Sequence, residues 1–329
     1  MKLPLHRLFP FRSRPETRVD VPPGPATPPK TGLALSSGAA RGLAHVGVIQ
    51  VLEENGIAID AVAGASMGAY VGALWAAGYS GKEMEGFAAE IATPRDLWNR
   101  LDLAVPPVKG LIYGRSIRAR LADALHDVTF AELSHELHVV TTNIDTFQRR
   151  VFREGDVAEA VHASAAVPGL CVPVEIGGER YIDGGVVDPL PVGVLRKAGC
   201  DVVIAVNVLP SIKDVSRGLA AAKPRADLPW LSRLNRAVNV FAPGNVIETL
   251  RRAVFSSQIR LAEDAAHEAD AVIRPAASAR WHDYHRYADY IAAGRRAAQD
   301  MLPDLFALTR DPHPPESHEN DPDIPSLVA

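Results

Sequence analysis

The chain has 329 residues, 47% of them hydrophobic and 22% charged, enough apolar material for one large domain or two small ones. Its formal net charge of -4 argues against the strongly basic face of a nucleic-acid-binding protein. Its two cysteines, Cys171 and Cys200, cannot build a disulfide framework, and no Cys-x-x-Cys pair is present, which fits a reducing compartment.

Residues 1–30 are basic and then proline-rich, and read as a disordered tail. They lack the unbroken apolar stretch of a signal peptide. Leu3, Leu5, Leu8, Phe9 and Phe11 among basic residues also suit contact with an anionic membrane surface. A single domain is expected over 31–308. It opens with a buried strand at 32–36, a loop of small residues, and a helix over 42–56 with Gly56 as its stop. A short strand ends at Gly64, and a helix runs over 67–77 to Gly78. Ser80 and Glu83 form a capping box for a helix expected to reach Thr93, before Pro94. Strands follow at 137–143 and in "RRVFRE". Asp156 caps a helix that must stop before Pro168. The strand "ERYID" leads into "GGVVDPLP", and a β-branched strand lies at 201–208. Strands alternating with helices imply an α/β fold with a largely parallel sheet.

Residues from about 210 to 243 break the rhythm and are expected to be an irregular insertion with one amphipathic helix. Trp230 or Leu231, Leu234, Val238 and Phe241 share a helical stripe, with Arg233 and Arg236 off it. That pattern suits a core-packing helix or a membrane-docking one. Residues 309–329 form a second polar, proline-rich tail.

The uncharged run 61–79 carries the chemistry. It is long enough to span a bilayer, and Gly64, Gly68 and Gly72 recur every fourth residue as in membrane helix dimers. Its Ala/Gly composition, the strand entering it and the lack of flanking basic residues argue against a span. Gly64-Ala65-Ser66-Met67-Gly68 instead matches the Gly-x-Ser-x-Gly elbow between a strand and a helix. Gly64 and Gly68 remove side chains that would collide in so tight a turn. Ser66 then projects clear of the sheet, at a helix N-terminus that favours negative charge.

A serine needs a base. His267, His282 and His285 lie downstream, but only two strands precede Ser66, and nothing around these histidines marks a catalytic triad. Asp183 ends a strand and is followed by Gly184 and Gly185, so another backbone can approach it closely. Burial would raise its pKa toward that of a useful base; the plainer reading of Asp-Gly-Gly is a turn. The loop Leu35 to His45 offers consecutive N–H groups as an oxyanion hole. A nucleotide-phosphate loop is the competing reading, with Asp60 near the position of a ribose-binding acid, but neither a Walker motif nor Gly-x-Gly-x-x-Gly is present.

Together, "SGAARG" (37–42), "GASMG" (64–68) and "DGG" (183–185) make the chain resemble the bacterial patatin-like phospholipases, which are related to the neuropathy target esterase catalytic domain. The resemblance extends through "ASAAVPGLCVPV", "DPLPV", "DVVIAVNV" and "YADYIAAGRRAAQDML", with the motif core at 32–196. It implies a three-layer α/β/α patatin-like fold with a mainly parallel central sheet. It also implies hydrolysis of carboxylic esters of (lyso)phospholipids or related lipids through an acyl-enzyme, without metal or cofactor. Carried over, Ser66 is the nucleophile, Asp183 the base, Gly38 and Ala39 the oxyanion donors, and Arg41 a nearby positive charge. The substrate implied is a lipid or acyl ester, with no nucleic-acid partner. The expected location is cytoplasmic, with peripheral contact at the inner face of the membrane. Where the family has glycines in the loop's first and third positions, this chain has Ser37 and Ala39. If Ala39 adopts positive φ the hole is strained, so a weakly active or non-catalytic regulatory member is the alternative, followed by a nucleotide-binding oxidoreductase.

Overall fold

A computed structural model describes residues 28–90, 93, 102–104, 109–212, 215, 246–276 and 283–309 of the chain. The expected 228–241 helix, His282 and nearly all of both tails lie outside the described residues.

The strands are β1 (Thr31–Leu35), β2 (Ala61–Ala65), β3 (Glu136–Asn143), β4 (Arg149–Phe152), β5 (Val174–Ile176), β6 (Glu179–Asp183), β7 (Val202–Val206) and β8 (Ala271–Ile273). The α-helices are α1 (Ala44–Glu54), α2 (Met67–Ala76), α3 (Gly81–Ala89), α4 (Arg115–Leu125), α5 (Val157–Ser164), α6 (Val192–Lys197), α7 (Val246–Ala266), α8 (Tyr287–Asp300) and α9 (Leu302–Thr309). Among the described residues, all eight strands belong to one sheet. Hydrogen-bonded neighbours run β5-β6-β3-β2-β1-β7-β8, with β4 also on β3. From β3 to β8 the pairings are parallel; β4 and β6 join β3 antiparallel, and β5 joins β6 antiparallel. The sheet is therefore mixed but mostly parallel.

The parallel strands are buried on both faces, and side-chain size separates the faces. Leu33, Leu35, Val62, Ile204 and Val206 point into one core with α1, α2 and α8. Their alternating neighbours Ala34, Ala61, Ala63, Ala65, Val203 and Ala205 face α6 and α7. Helices thus cover both sides, which gives three layers, α/β/α.

One expectation holds and one changes. The uncharged run 61–79 is a strand, a sharp turn and a ten-residue helix. Among the described residues no helix is long and apolar enough to cross a membrane. The Ser80–Glu83 capping box is present, but α3 ends at Ala89 rather than Thr93. Pro94 has no N–H to give the carbonyl of Glu90, and in a continuing helix its ring would crowd that oxygen.

Candidate active site

A strand has two edges, and β3 has three partners. β2 bonds it along 136–140 and β4 along 139–142, so the shared residues Val139 and Val140 put these two on opposite edges. β6 bonds it along 141–143, overlapping β4 at Thr141 and Thr142, so β6 lies on the same edge as β2. The two strands meet end to end: β2 finishes at Ala65 opposite Val140, and β6, running the other way, finishes at Asp183 opposite Thr141. Ser66 and Asp183 are the first residues on either side of that junction.

At the junction the chain turns sharply into α2. Ser66 adopts φ 55 and ψ -121, a conformation costing on the order of 1–3 kcal/mol for a residue with a Cβ. Its N–H, which a continuing ladder would give to β3, donates instead to Ser164 Oγ at 2.8 Å. That hydroxyl in turn donates to the Val140 carbonyl at 2.6 Å. Ser164, the last residue of α5, is therefore the bridge that closes the gap between the strands, and the sequence reading did not single it out.

Asp183 is 3% exposed and Ser66 7%. The Ser66 side chain stands close enough to the Asp183 carboxylate to pull its pKa down. Gly185 N–H donates to Asp183 Oδ1 at 2.7 Å, and Thr142 Oγ1 to its main-chain carbonyl at 2.9 Å. Burial pushes the Asp183 carboxyl up from 3.8 to about 6, against the opposing pull of the Ser66 side chain and the Gly185 N–H. Gly184 lets the turn lie on β3: a Cβ there would stand 2.0 Å from the Val140 oxygen.

The loop after β1 is held by its own polar groups. Ser36 N–H donates to the Val206 carbonyl at 3.1 Å, Ser37 N–H to Pro189 at 2.8 Å and Arg41 N–H to Gly38 at 3.1 Å. The Gly38 and Ala39 N–H groups donate to no acceptor among the described residues, which leaves them as candidate oxyanion donors. Ser37, by contrast, has its N–H engaged. The Arg41 guanidinium lies over the Phe255 ring of α7, 5.6 Å from its centroid.

Ala39 takes φ 47, in the left-handed region, which meets the condition for strain in the loop. A Cβ there costs roughly 1–2 kcal/mol, and a glycine would return about 0.5–1 kcal/mol of that in unfolded-chain entropy. Ala39→Gly is expected to stabilise the protein by about 0.5–1 kcal/mol and to raise turnover a few-fold; a thermal melt and an ester assay on both proteins check this.

No imidazole contacts Asp183 among the described residues. His267, just past the end of α7, has Nδ1 2.7 Å from the Glu263 carbonyl on the exposed side of that helix, and His285 is exposed. Asp60 accepts from Thr31 N–H at 2.7 Å at the opposite end of the sheet from the loop, so it is not placed as a ribose-binding acid at the strands' carboxyl ends. Among the described residues no three His, Cys, Asp or Glu side chains group as metal ligands.

Residues 33–196, which include Gly38, Ala39, Arg41, Gly64, Ser66, Gly68, Ser164, Asp183, Gly184 and Gly185, match the family model for Patatin-like phospholipase. The chain is 35% identical over 213 residues to an uncharacterized NTE family protein of Mycobacterium tuberculosis, a match covering 64% of this chain and 57% of that one. It is 33% identical over 181 residues to the lysophospholipase NTE1 of Saccharomyces cerevisiae, covering 54% of this chain and 11% of the yeast protein. It thus spans little more than half of one relative and about a tenth of the other. Among solved structures, VipD from Legionella pneumophila aligns over 85% of this chain and 68% of its own, at 14% identity and a TM-score of 0.45. Residues 33–196, the motif-bearing core of the chain, belong to the patatin-like phospholipase family.

Proposed function

We propose that the protein is a serine hydrolase that cleaves carboxylic esters of phospholipids or lysophospholipids through a Ser66–Asp183 dyad and an acyl-enzyme. The observation that carries this reading is the end-to-end meeting of β2 and β6, which brings Ser66 beside a buried carboxylate whose pKa is lifted to about 6. At that pKa the carboxylate is ionised at neutral pH yet far more basic than an exposed aspartate.

In the first half-reaction Ser66 Oγ attacks the ester carbonyl carbon as its proton passes to Asp183. The carbonyl oxygen becomes an oxyanion facing the Gly38 and Ala39 N–H groups; each well-placed donor there is worth about 3 kcal/mol. Collapse breaks the bond to the alcohol, which leaves with the proton held by Asp183. In the second half-reaction Asp183 takes a proton from water, the resulting oxygen attacks the acyl carbon, the bond from that carbon to Ser66 Oγ breaks as Oγ takes the proton back from Asp183, and the carboxylic acid leaves. The lysophospholipase name of the yeast relative supports a single-chain phospholipid ester as the first substrate to try. Substrate of this kind, presented from a bilayer or micelle, is consistent with peripheral membrane contact.

The test is hydrolysis of lysophosphatidylcholine and p-nitrophenyl esters, with fluorophosphonate labelling of the same preparations. Wild type is expected to turn over and to label, and Ser66→Ala to do neither. Equal labelling of a folded Ser66→Ala protein would remove Ser66 from the reaction.

A further inference from the structure

We propose that His45 is a positioning residue that clamps the oxyanion loop and ties it to the loop carrying Asp183; the inference rests on the hydrolase reading above. α1 is an apolar helix buried along 44–52, and a histidine in its first turn is out of character with its neighbours. His45 is fully buried, and its Nε2 lies 2.8 Å from the Ser36 carbonyl oxygen. Because that partner can only accept, Nε2 carries the hydrogen and Nδ1 does not. Nδ1 is buried with no partner among the described residues. Desolvation holds the imidazole down at about 4, so it is neutral throughout the working range. Neutrality makes it a fixed donor rather than a titrating base.

The peptide unit joining Ser36 to Ser37 is the target. Its carbonyl accepts from His45, and its N–H donates to the Pro189 carbonyl at 2.8 Å. A peptide plane held at both ends cannot rotate, and the two N–H groups that follow it are those of Gly38 and Ala39. Pro189 sits six residues after Asp183, in the same loop as Asp188, whose carboxylate pairs with Arg149 of β4. One imidazole thereby fixes the relative position of the three motifs. It anchors the first loop from α1, and the Ser36–Ser37 peptide passes the constraint to the third. The Ser36 oxygen also lies where a side chain at Gly68, in the second motif, would meet it, at 2.7 Å. His45 touches no reacting atom in this arrangement; it acts through the loop.

The experiment compares His45→Leu, which removes the donor, with His45→Gln, whose Nε2–H stands the same number of bonds from Cβ. His45→Leu is expected to lower kcat about 10- to 100-fold, as a displacement near 1 Å in a donor does, with KM within about three-fold. His45→Gln is expected to recover most of kcat. Native-state hydrogen exchange at the Ser37 amide gives a readout independent of activity: protection falls at least about ten-fold in His45→Leu and is kept in His45→Gln, as the loss of an anchoring hydrogen bond predicts. If His45→Leu does not fold, His45→Met takes its place. Unchanged kcat and unchanged Ser37 protection in a donor-less variant would overturn the clamp, as would a folded His45→Gln as impaired as the donor-less one. A wild type that neither labels nor hydrolyses, with the exchange pattern still as described, would instead overturn the hydrolase reading and leave the clamp standing.

Discussion

Asp183→Asn is expected to lower turnover by about two to four orders of magnitude, the usual worth of a positioned base, while making the protein more stable at pH 8. The first effect follows because an amide cannot take the Ser66 proton. The second follows from the direction of the pKa shift. Burial raises the carboxyl from 3.8 to about 6, so between those values the native state holds a proton that the unfolded chain has released. Stability therefore falls as pH rises through that window, and the full penalty is present above it. A shift of this size corresponds to about 3 kcal/mol at pH 8. Asparagine never bears the charge and still offers Oδ1 to the Gly185 N–H. Calorimetry at pH 5 and pH 8 should show the variant melting several degrees above wild type at pH 8, and the gap narrowing at pH 5. The same group sets the wild-type rate: kcat/KM should climb through about pH 6 and level off above it. A variant with wild-type turnover would show that Asp183 is not the base.

Gly68→Ala is expected to destabilise the fold by about 3 kcal/mol, the upper end for overpacking, and to abolish Ser66 labelling. A Cβ there would lie 2.2 Å from the Leu35 oxygen and 2.7 Å from both the Leu35 carbonyl carbon and the Ser36 oxygen. These are backbone atoms of the central strand and the oxyanion loop, so no rotamer change relieves them. Either α2 lifts from the sheet or the loop moves, and each displaces Ser66. Gly72, one turn further along α2, makes the comparison. A Cβ there meets side-chain atoms, Val62 Cγ1 at 3.1 Å and Leu137 Cδ1 at 3.5 Å, which can yield. Gly72→Ala should cost less than about 1 kcal/mol and keep its label. Circular dichroism melts and fluorophosphonate labelling of both variants decide the matter; a labelled, stable Gly68→Ala would sink the elbow account.

Much of this geometry is legible in the linear sequence because it is local. The steric demand of the turn at Ser66 is written in Gly64 and Gly68, the capping box in Ser80 and Glu83, and the strain at Ala39 in the small-residue loop it occupies. What stays hidden is what distant segments impose on one another. Ser164 ends a helix in a run of alanines, and nothing nearby announces that its hydroxyl bridges the end of β2 to β3, at positions 98 and 24 residues before it in sequence. His45 reads as one polar residue in an apolar helix until the Ser36 carbonyl is placed beside it. The three-residue strands β5 and β8 are too short for alternation to show. The long helix α7 has a weak apolar stripe, and its neighbours across the sheet face, alanines and α6, lie far from it in the chain.

The end-to-end meeting of β2 and β6 along one side of β3 has a mechanical consequence. In a twisted sheet each strand is rotated by about 20–25° from the next, and low-frequency flexing changes that angle. Two groups drawn from adjacent strands would drift apart and together with every such fluctuation. Here both ride on a common rail, so torsion of the sheet carries hydroxyl and carboxylate as one body, and their separation is insulated from the softest motion of the scaffold.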